Sequence, residues 1–215
     1  MVDKHILSEL SLRYPQLISV ISSIGEAAEL IISCYESEGK ILVCGNGGSS
    51  SDADHLVGEL MKSFEIKRPL KRHVAKQLEE ISPERGIYLA QKLESGLPAI
   101  SLSAHTSLTT AVANDIDATL VFAQQVVGYG TGKDILFAIS TSGNSQNIID
   151  ACITAKAMNM SVIGLTGTSG GKMKQYCNIL INVPEYNTAY IQELHLPVMH
   201  AICGIVEKYF YSNNI

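Results

Sequence analysis

The strongest constraint on the fold is a recurrence of short apolar runs, each bounded by turn-forming residues and separated from the next by other structure. The runs cover residues 40–44, 97–103, 134–140, 161–166 and 178–183. Each is apolar on both alternating faces, which is typical of a strand covered by helices on both sides. Residues 145–158, between the third and fourth runs, carry apolar side chains at helical spacing. This alternation predicts a parallel sheet with right-handed crossovers.

Two longer helical patterns, over residues of about 4–37 and 188–211, bracket this core. Pro197 removes one backbone donor inside the second pattern and predicts a kink or a late helix start. The charge-rich segment 65–94 does not fit the alternation. It contains one amphipathic pattern and then a second that begins at Pro83, with Ser82 as the predicted N-cap. We therefore predict a single domain over residues 1–215 with a helical hairpin inserted at about 71–95, which we interpret as a solvated connection.

Composition narrows the class of protein. Of 215 residues, 46% are hydrophobic and 17% charged, which excludes a disordered chain and predicts a sizeable core. A net charge of −5 gives no indication of a nucleic-acid partner. We expect no membrane span and no signal peptide, since no unbroken apolar run is long enough and charged residues begin at Asp3. The five cysteines are scattered without a C-x-x-C pair, so we expect free thiols in a cytoplasmic protein.

The first candidate ligand-binding loop, Gly45-Asn46-Gly47-Gly48, follows the first predicted strand. Open parallel sheets bind ligands at the carboxyl ends of their strands. Glycines at such a turn let backbone amides approach an anion, and the following helix adds the positive end of its dipole. The loop matches neither the dinucleotide fingerprint nor the P-loop, which disfavours dinucleotide and ATP binding.

The second loop is richer in chemical information. It reads Ser140-Thr141-Ser142-Gly143-Asn144-Ser145 and directly precedes a predicted helix. Its four hydroxyls, together with the free amides of a helix N-terminus, would form an uncharged phosphate cradle. N-capping explains one hydroxyl but not four. The absence of Lys and Arg from the loop suits an acidic protein that binds a sugar phosphate through neutral donors.

A third set of residues could bind a metal or transfer protons. His55 and Glu59 are four residues apart and share one face of the helix that follows the first loop. Gln192, Glu193, His195 and His200 lie on the last helical pattern. Imidazoles and a carboxylate could hold a divalent cation or divide acid and base roles. Spacing alone leaves His195 and His200 equally eligible, and each residue taken singly could be purely structural.

Five ordered motifs resemble the sugar isomerase (SIS) family, most closely its branch that acts on seven-carbon sugar phosphates. They are G-N-G-G-S-x-x-D-A-x-H-x-x-x-E at 45–59, A-N-D at 113–115, S-T-S-G-N-S at 140–145, L-T-G-x-x-G-G-K at 165–172 and I-Q-E-x-H-x-x-x-x-H at 191–200. The resemblance covers nearly the whole chain except the 71–95 insert. It implies a three-layer αβα sandwich of the flavodoxin-like type with a five-stranded parallel sheet. It also implies a homotetramer with sites completed across subunits.

The resemblance assigns roles residue by residue. The substrate contacts that it implies are Asn46, Gly47, Gly48, Glu59, Asn114, Asp115 and Gln192, with Ser140, Thr141, Ser142 and Ser145 on the phosphate. The zinc ligands that it implies, for one Zn²⁺ per subunit, are His55, Glu59, Gln192 and His200. Glu59 and His200 take the acid–base roles, which favours His200 over His195. A carboxylate bound to zinc is a weaker base, so Glu59 would have to change its coordination during turnover.

The implied reaction is an aldose–ketose isomerisation between sedoheptulose 7-phosphate and D-glycero-D-manno-heptose 7-phosphate through an enediolate. This is an early step towards nucleotide-activated heptose for surface glycans such as lipopolysaccharide. Two alternatives stay open: a non-catalytic SIS-fold protein that binds sugar phosphates or a replication initiator, and an isomerase of a pentose or hexose phosphate. The presence of His55, Glu59 and His200 together favours an enzyme.

Overall fold

The computed structural model describes residues 4–212 and contains one five-stranded sheet surrounded by helices. The helices are α1 (Lys4–Arg13), α2 (Ile21–Glu36), α3 (Gly48–Met61), α4 (Arg72–Ile81), α5 (Pro83–Lys92), α6 (Thr106–Val112), α7 (Val121–Tyr129), α8 (Gln146–Ala157) and α9 (Thr188–Tyr211). The strands are β1 (Ile41–Cys44), β2 (Ala99–Ser101), β3 (Ile135–Ile139), β4 (Ser161–Gly167) and β5 (Ile179–Val183). Short 3-10 helices cover Pro15–Val20, Ala118–Leu120 and Lys172–Tyr176, and a π-helical turn covers Ala113–Asp117.

The sheet is parallel, with strand order β2-β1-β3-β4-β5. Val43 of β1 pairs with Ser101 of β2 on one side and with Phe137 of β3 on the other. The chain moves from β1 to one edge and then returns to the other side of β1, so the topological switch point lies between β1 and β3. All five strands coincide with the predicted apolar runs, and the predicted parallel sheet is confirmed.

Two apolar cores lie on opposite faces of the sheet, which makes the fold a three-layer αβα sandwich as predicted. Alternate strand residues point into different cores: Ile41 and Val43 pack with α2, α3 and α9, whereas Leu42 and Cys44 pack with α7 and α8. All four side chains are fully buried. Because both faces of each strand are covered, the strands read as continuous apolar runs.

Helix α9 runs through Pro197 and begins at Thr188, so the alternative of a late helix start was wrong. Asn187 caps its N-terminus, with its side chain accepting a hydrogen bond from the Ala189 amide at 2.9 Å. The proline removes one backbone bond, but α9 is buried along most of its length, and this packing offsets the loss.

The insert forms the predicted helical hairpin, α4 and α5, which pack against each other. Its base is closed by a bridge between Pro69 and Glu94 and by the Ser95 amide donating to the Arg68 carbonyl at 2.7 Å. Ser82 is the N-cap residue of α5 and Pro83 lies in the first turn, as predicted, although the Ser82 hydroxyl makes no capping hydrogen bond. The Ser82 carbonyl accepts the first hydrogen bond of α5, from the Gly86 amide at 2.6 Å.

One stretch within the described part of the chain, Pro15–Glu36, is long and apolar enough to cross a membrane by length and composition. In the fold it is a core element. Ile24, Ala28 and Ile31 on this stretch are fully buried in the same core as α9. Packing against the sheet therefore accounts for its apolar character.

Candidate active site

The loop after β1 brings the start of α3 against the start of α9. Gly47 has φ +57°, a left-handed conformation that glycine adopts without strain. A side chain at Gly48 would overlap the side-chain amide of Gln192. Gly47 therefore allows the turn into α3, and Gly48 allows the close approach of Gln192 of α9 to the N-terminus of α3.

An amide pair spans the topological switch point. The side chains of Asn46 and Asn147 exchange two hydrogen bonds, each 2.9 Å long. Asn46 follows β1, and Asn147 lies in the first turn of α8, which follows β3. Asn46 was predicted to contact substrate, whereas Asn147 was not. Asn147 could have been found from its position two residues after the 140–145 motif, because the first turn of the following helix faces the same crevice.

The 140–145 loop is arranged so that its hydroxyls can donate to a ligand. Ser140 Oγ accepts from the Gly143 amide at 3.2 Å, and Ser142 Oγ accepts from the Asn144 amide at 3.1 Å. A hydroxyl that accepts from the backbone keeps its own proton available for an anion. Ser140 Oγ also lies 3.4 Å from Ser145 Oγ. The predicted cluster of hydroxyls thus exists at the start of α8, where the first helical amides have no intrahelical acceptor.

A second loop, residues 167–173, holds the first in place. The Gly167 amide donates to the Thr141 carbonyl and the Met173 amide to the Gly143 carbonyl, both at 3.0 Å. The Lys172 amide donates to Asn144 Oδ1 at 3.0 Å. This stretch contains the family motif at 165–172, and its role here is to fix the hydroxyl-bearing loop.

A cleft of about 200 Å³ opens between these two loops and the start of α9. Its lining includes Thr141, Ser142, Thr168, Ser169 and Ile191. Glu185 also borders the cleft, and among the residues that line it in the described chain there is no Lys or Arg. A ligand here would be bound through hydroxyl and amide donors.

The second centre of polar side chains lies farther along α3 and α9. His55 Nε2 is 3.3 Å from His200 Nε2 and 3.4 Å from Glu59 Oε1. The two imidazole rings meet edge to face, with centroids 5.1 Å apart. Glu59 also pairs through Oε2 with Lys62 Nζ at 3.1 Å. The structure therefore brings together His55, Glu59 and His200, as the resemblance implied.

The surroundings of this centre favour a neutral His200. Partial burial, followed by the neighbouring His55, lowers the pKa of His200 below its usual value. The ring of Phe64 lies 5.4 Å from the His200 ring. A cavity of about 180 Å³ adjoins His200 and is lined also by Arg13, Tyr14 and Glu65. A neutral imidazole beside a carboxylate can accept or relay a proton.

The four expected zinc donors are not assembled around one point. Within residues 4–212, no group of three or more His, Cys, Asp or Glu side chains is arranged so that it could hold a metal ion. The 3.3 Å between His55 Nε2 and His200 Nε2 fits two nitrogens bound to a tetrahedral zinc at about 2.0–2.1 Å each. Gln192, however, lies against Gly48, two helical turns or about 10 Å of rise from His55.

His195 differs from His200 in its burial. Its side chain is fully buried, with the backbone of Thr166 as its polar neighbour. Burial lowers the pKa of His195 to about 4, so the ring is neutral at neutral pH. Of the two histidines that spacing left equivalent, the structure therefore places His195 in the core and His200 in the site.

Asn114 and Asp115 are not brought to either centre. They lie in the exposed π-helical turn Ala113–Asp117, where Asn114 Nδ2 donates to Asp115 Oδ1 at 2.8 Å. In the described part of the chain, neither side chain bonds the loop after β1 or the 140–145 loop. Their predicted contact with substrate stays a prediction.

The sheet order and the hydroxyl-rich loop at the switch point are those expected of a SIS-domain protein. A family model described as the SIS domain matches residues 17–95 and 78–167. The phosphoheptose isomerase of Laribacter hongkongensis is 39% identical over 209 residues, covering 96% of this chain and 93% of its own. That of Helicobacter pylori strain P12 is 36% identical over 214 residues, covering 100% and 98%. The solved structure of a phosphoheptose isomerase from Francisella tularensis gives a TM-score of 0.75 at 34% identity, with 95% of each chain covered.

The chain belongs to the phosphoheptose isomerase family. The family predicted from the five motifs is thus confirmed, as is the fold that it implied. The Helicobacter alignment spans the whole chain, so the 71–95 insert falls within it.

Proposed function

We propose that the protein interconverts sedoheptulose 7-phosphate and D-glycero-D-manno-heptose 7-phosphate, an early step in making nucleotide-activated heptose for lipopolysaccharide. The observation that carries the proposal is that Glu59 and His200, from two different helices, both lie within 3.4 Å of His55 Nε2. The names of the full-length relatives support the same reaction. They also support an enzyme over a non-catalytic sugar-phosphate-binding protein.

The two ends of the site suit a long sugar phosphate. Ile191 lines the cleft beside the 140–145 loop, and His200 is nine residues farther along the same helix. Nine residues of α-helix rise about 13 Å. The separation is on the scale of a whole sugar, so that the loop anchors the phosphate while the other end of the substrate approaches His200. Binding energy at the phosphate then serves to position C1 and C2.

Glu59 is proposed to move the proton between C1 and C2, because its carboxylate lies 3.4 Å from His55 Nε2, which in turn lies 3.3 Å from His200 Nε2. Its side chain is 18% exposed, which leaves access to a substrate while limiting its hydration. His200 is proposed to transfer the proton at the sugar oxygen, as the carbonyl and hydroxyl exchange places. Lys62, paired with Glu59, adds a positive charge near the developing enediolate.

We further propose that one Zn²⁺ per subunit binds His55, Glu59, Gln192 and His200. The spacing of the two imidazole nitrogens supports this, whereas Gln192 would have to leave Gly48 and Glu59 would have to leave Lys62. When bound, the ion supplies a Lewis acid that polarises the sugar carbonyl.

A homotetramer in the cytoplasm is also proposed. Ile116, beside Asn114 and Asp115, is 60% exposed, so a second subunit covering this turn would give both polar residues a place in a shared site. All five cysteines are free thiols, which suits a reducing compartment.

The proposed function is tested by an isomerisation assay with sedoheptulose 7-phosphate beside pentose and hexose phosphates, each with and without a chelator. We expect turnover of the heptose phosphate to exceed that of the shorter sugars. Preferred turnover of a pentose or hexose phosphate would change the substrate assignment. No turnover with any sugar phosphate, together with tight binding of one, would instead indicate a binding protein.

A further inference from the structure

A buried ion pair joins the segment after α3 to the last turns of α9. Arg68 is fully buried, and its Nε donates to Glu207 Oε1 at 2.7 Å. Glu207 is 1% exposed. Neither residue touches the proposed reacting groups through its charged end, and sequence analysis gave neither a role.

Arg68 uses the rest of its guanidinium to hold the end of α3. Its two terminal nitrogens donate to the carbonyl of Leu60 at 2.6 Å and to the carbonyl of Glu59 at 3.1 Å. These are the backbone oxygens that the last turn of a helix leaves without an intrahelical donor. The contact with Glu59 is direct: the residue whose side chain faces His55 has its backbone bound by Arg68.

Glu207 organises the loop that carries Arg68. Its carboxylate accepts the backbone amides of Phe64, Glu65 and Ile66 at 2.8, 2.7 and 2.9 Å. Phe64 in turn packs on the ring of His200. Glu207 lies seven residues after His200 on α9, two turns along the same face.

We propose that Arg68 and Glu207 are positioning residues for the isomerase site, fixing the register of α3 against α9 and thereby the spacing of Glu59, His55 and His200. The inference rests on the proposed function. A buried ion pair contributes little net stability compared with a well-packed apolar pair. The planar guanidinium, however, binds two carbonyls of α3 and a carboxylate of α9 at once, and an ammonium group cannot reproduce this geometry.

The test compares Arg68→Lys and Glu207→Gln with Lys40→Met. The control breaks a second ion pair that has a buried carboxylate: Lys40 Nζ lies 2.6 Å from Asp134 Oδ2, where the side chain of Asp134 is 2% exposed and that of Lys40 is 26% exposed. That pair is at the amino ends of β1 and β3, the opposite edge of the sheet from the site. Three measurements are made on each folded variant: kcat and KM for sedoheptulose 7-phosphate, the melting temperature, and the crystal structure.

We expect Arg68→Lys and Glu207→Gln each to lower kcat at least about tenfold with little change in KM, because a misplacement of about 1 Å is enough for such a loss. Their crystal structures should show a changed distance between His55 Nε2 and His200 Nε2. Lys40→Met should retain kcat even where its melting temperature falls as far. If the Arg68 and Glu207 variants keep wild-type kcat, or lose it only as the control does with an unchanged imidazole distance, the positioning role is wrong.

Failure of the proposed function gives a different result. In that case the wild-type protein turns over no sugar phosphate. The imidazole distance in the variant crystal structures then decides the positioning role by itself: a changed distance supports it and an unchanged distance overturns it.

Discussion

His55 and His200 are 145 positions apart in the chain, yet their Nε2 atoms lie 3.3 Å from each other. The contact exists because α3 and α9 run side by side in the same direction, with Gly48 against Gln192 at their starts. Glycine at position 48 permits the close approach of the two helix starts. The Arg68–Glu207 pair joins the end of α3 to the last turns of α9. The proposed acid–base centre therefore depends on the register of two helices.

Substitution of a hydroxyl-bearing residue in the 140–145 loop should weaken substrate binding. Ser142→Ala removes a hydroxyl whose proton is free to donate to phosphate, since its oxygen already accepts from the Asn144 amide. We expect KM for sedoheptulose 7-phosphate to rise about tenfold with kcat changed much less, the usual size for a hydrogen bond to a charged group. Ser22→Ala, at an exposed position of α2, is the control. An unchanged KM in the Ser142 variant would remove this hydroxyl from the phosphate site.

The buried His195 should make stability depend on pH. The unfolded chain takes up this proton near pH 6.5, whereas the folded protein does so only near its pKa of about 4. The unfolded state binds more protons in this window, so the free energy of unfolding should fall by about 3 kcal/mol as the pH drops through it. Urea unfolding at several pH values should show this slope in the wild type and a flatter one in His195→Leu. Equal slopes would show that His195 is not the titrating group.

Removal of the hairpin should leave the reaction intact. Pro69 and Glu94 are bridge partners, so a Gly-Gly link between them can replace residues 70–93. Glu94 is kept because its carboxylate accepts the Ser63 amide at 2.9 Å. We expect kcat/KM within about twofold of the full chain, as for other surface insertions. A much larger loss, in a variant with an unchanged melting temperature, would indicate that the hairpin shapes the site.

Metal content tests the zinc proposal without an activity assay. Protein purified without chelator should contain about one zinc per subunit, measured by mass spectrometry of the dissolved metal. The four proposed ligands supply the four donors that a tetrahedral zinc site usually has. His55→Ala should lose it, while His73→Ala, on the exposed face of α4, should not. Equal zinc in both variants would place the ion elsewhere. Absence of zinc in the wild type would remove the ion from the site.

The sequence predicted the layers of the fold because each strand is buried on both faces and therefore reads as an apolar run. It also predicted the cluster of hydroxyls, which is continuous in the chain. It could not distinguish His195 from His200 by spacing, because that difference depends on which face of α9 meets the sheet. The burial of Arg68 could not be predicted either, because it depends on an ion pair with Glu207, which is 139 positions away in the chain.

The observed side-chain contacts differ most from the predicted ones where a side chain can adopt several rotamers. Gln192 was expected beside the histidines, and its amide lies over Gly48 instead. The position of this amide is not encoded in residue type or spacing, since it depends on how closely α3 and α9 approach each other.

The central claim, that the carboxylate of α3 and the imidazole of α9 carry the reaction, is tested most directly by the kcat of Glu59→Gln and His200→Asn with sedoheptulose 7-phosphate. Glu80→Gln is the matched control, because Glu80 also pairs with a lysine, Lys76 at 3.5 Å, but on the exposed hairpin. We predict that each site variant loses at least about 100-fold in kcat at an unchanged melting temperature, as expected for the loss of an acid–base group. Turnover near the wild-type rate in either site variant would contradict the account.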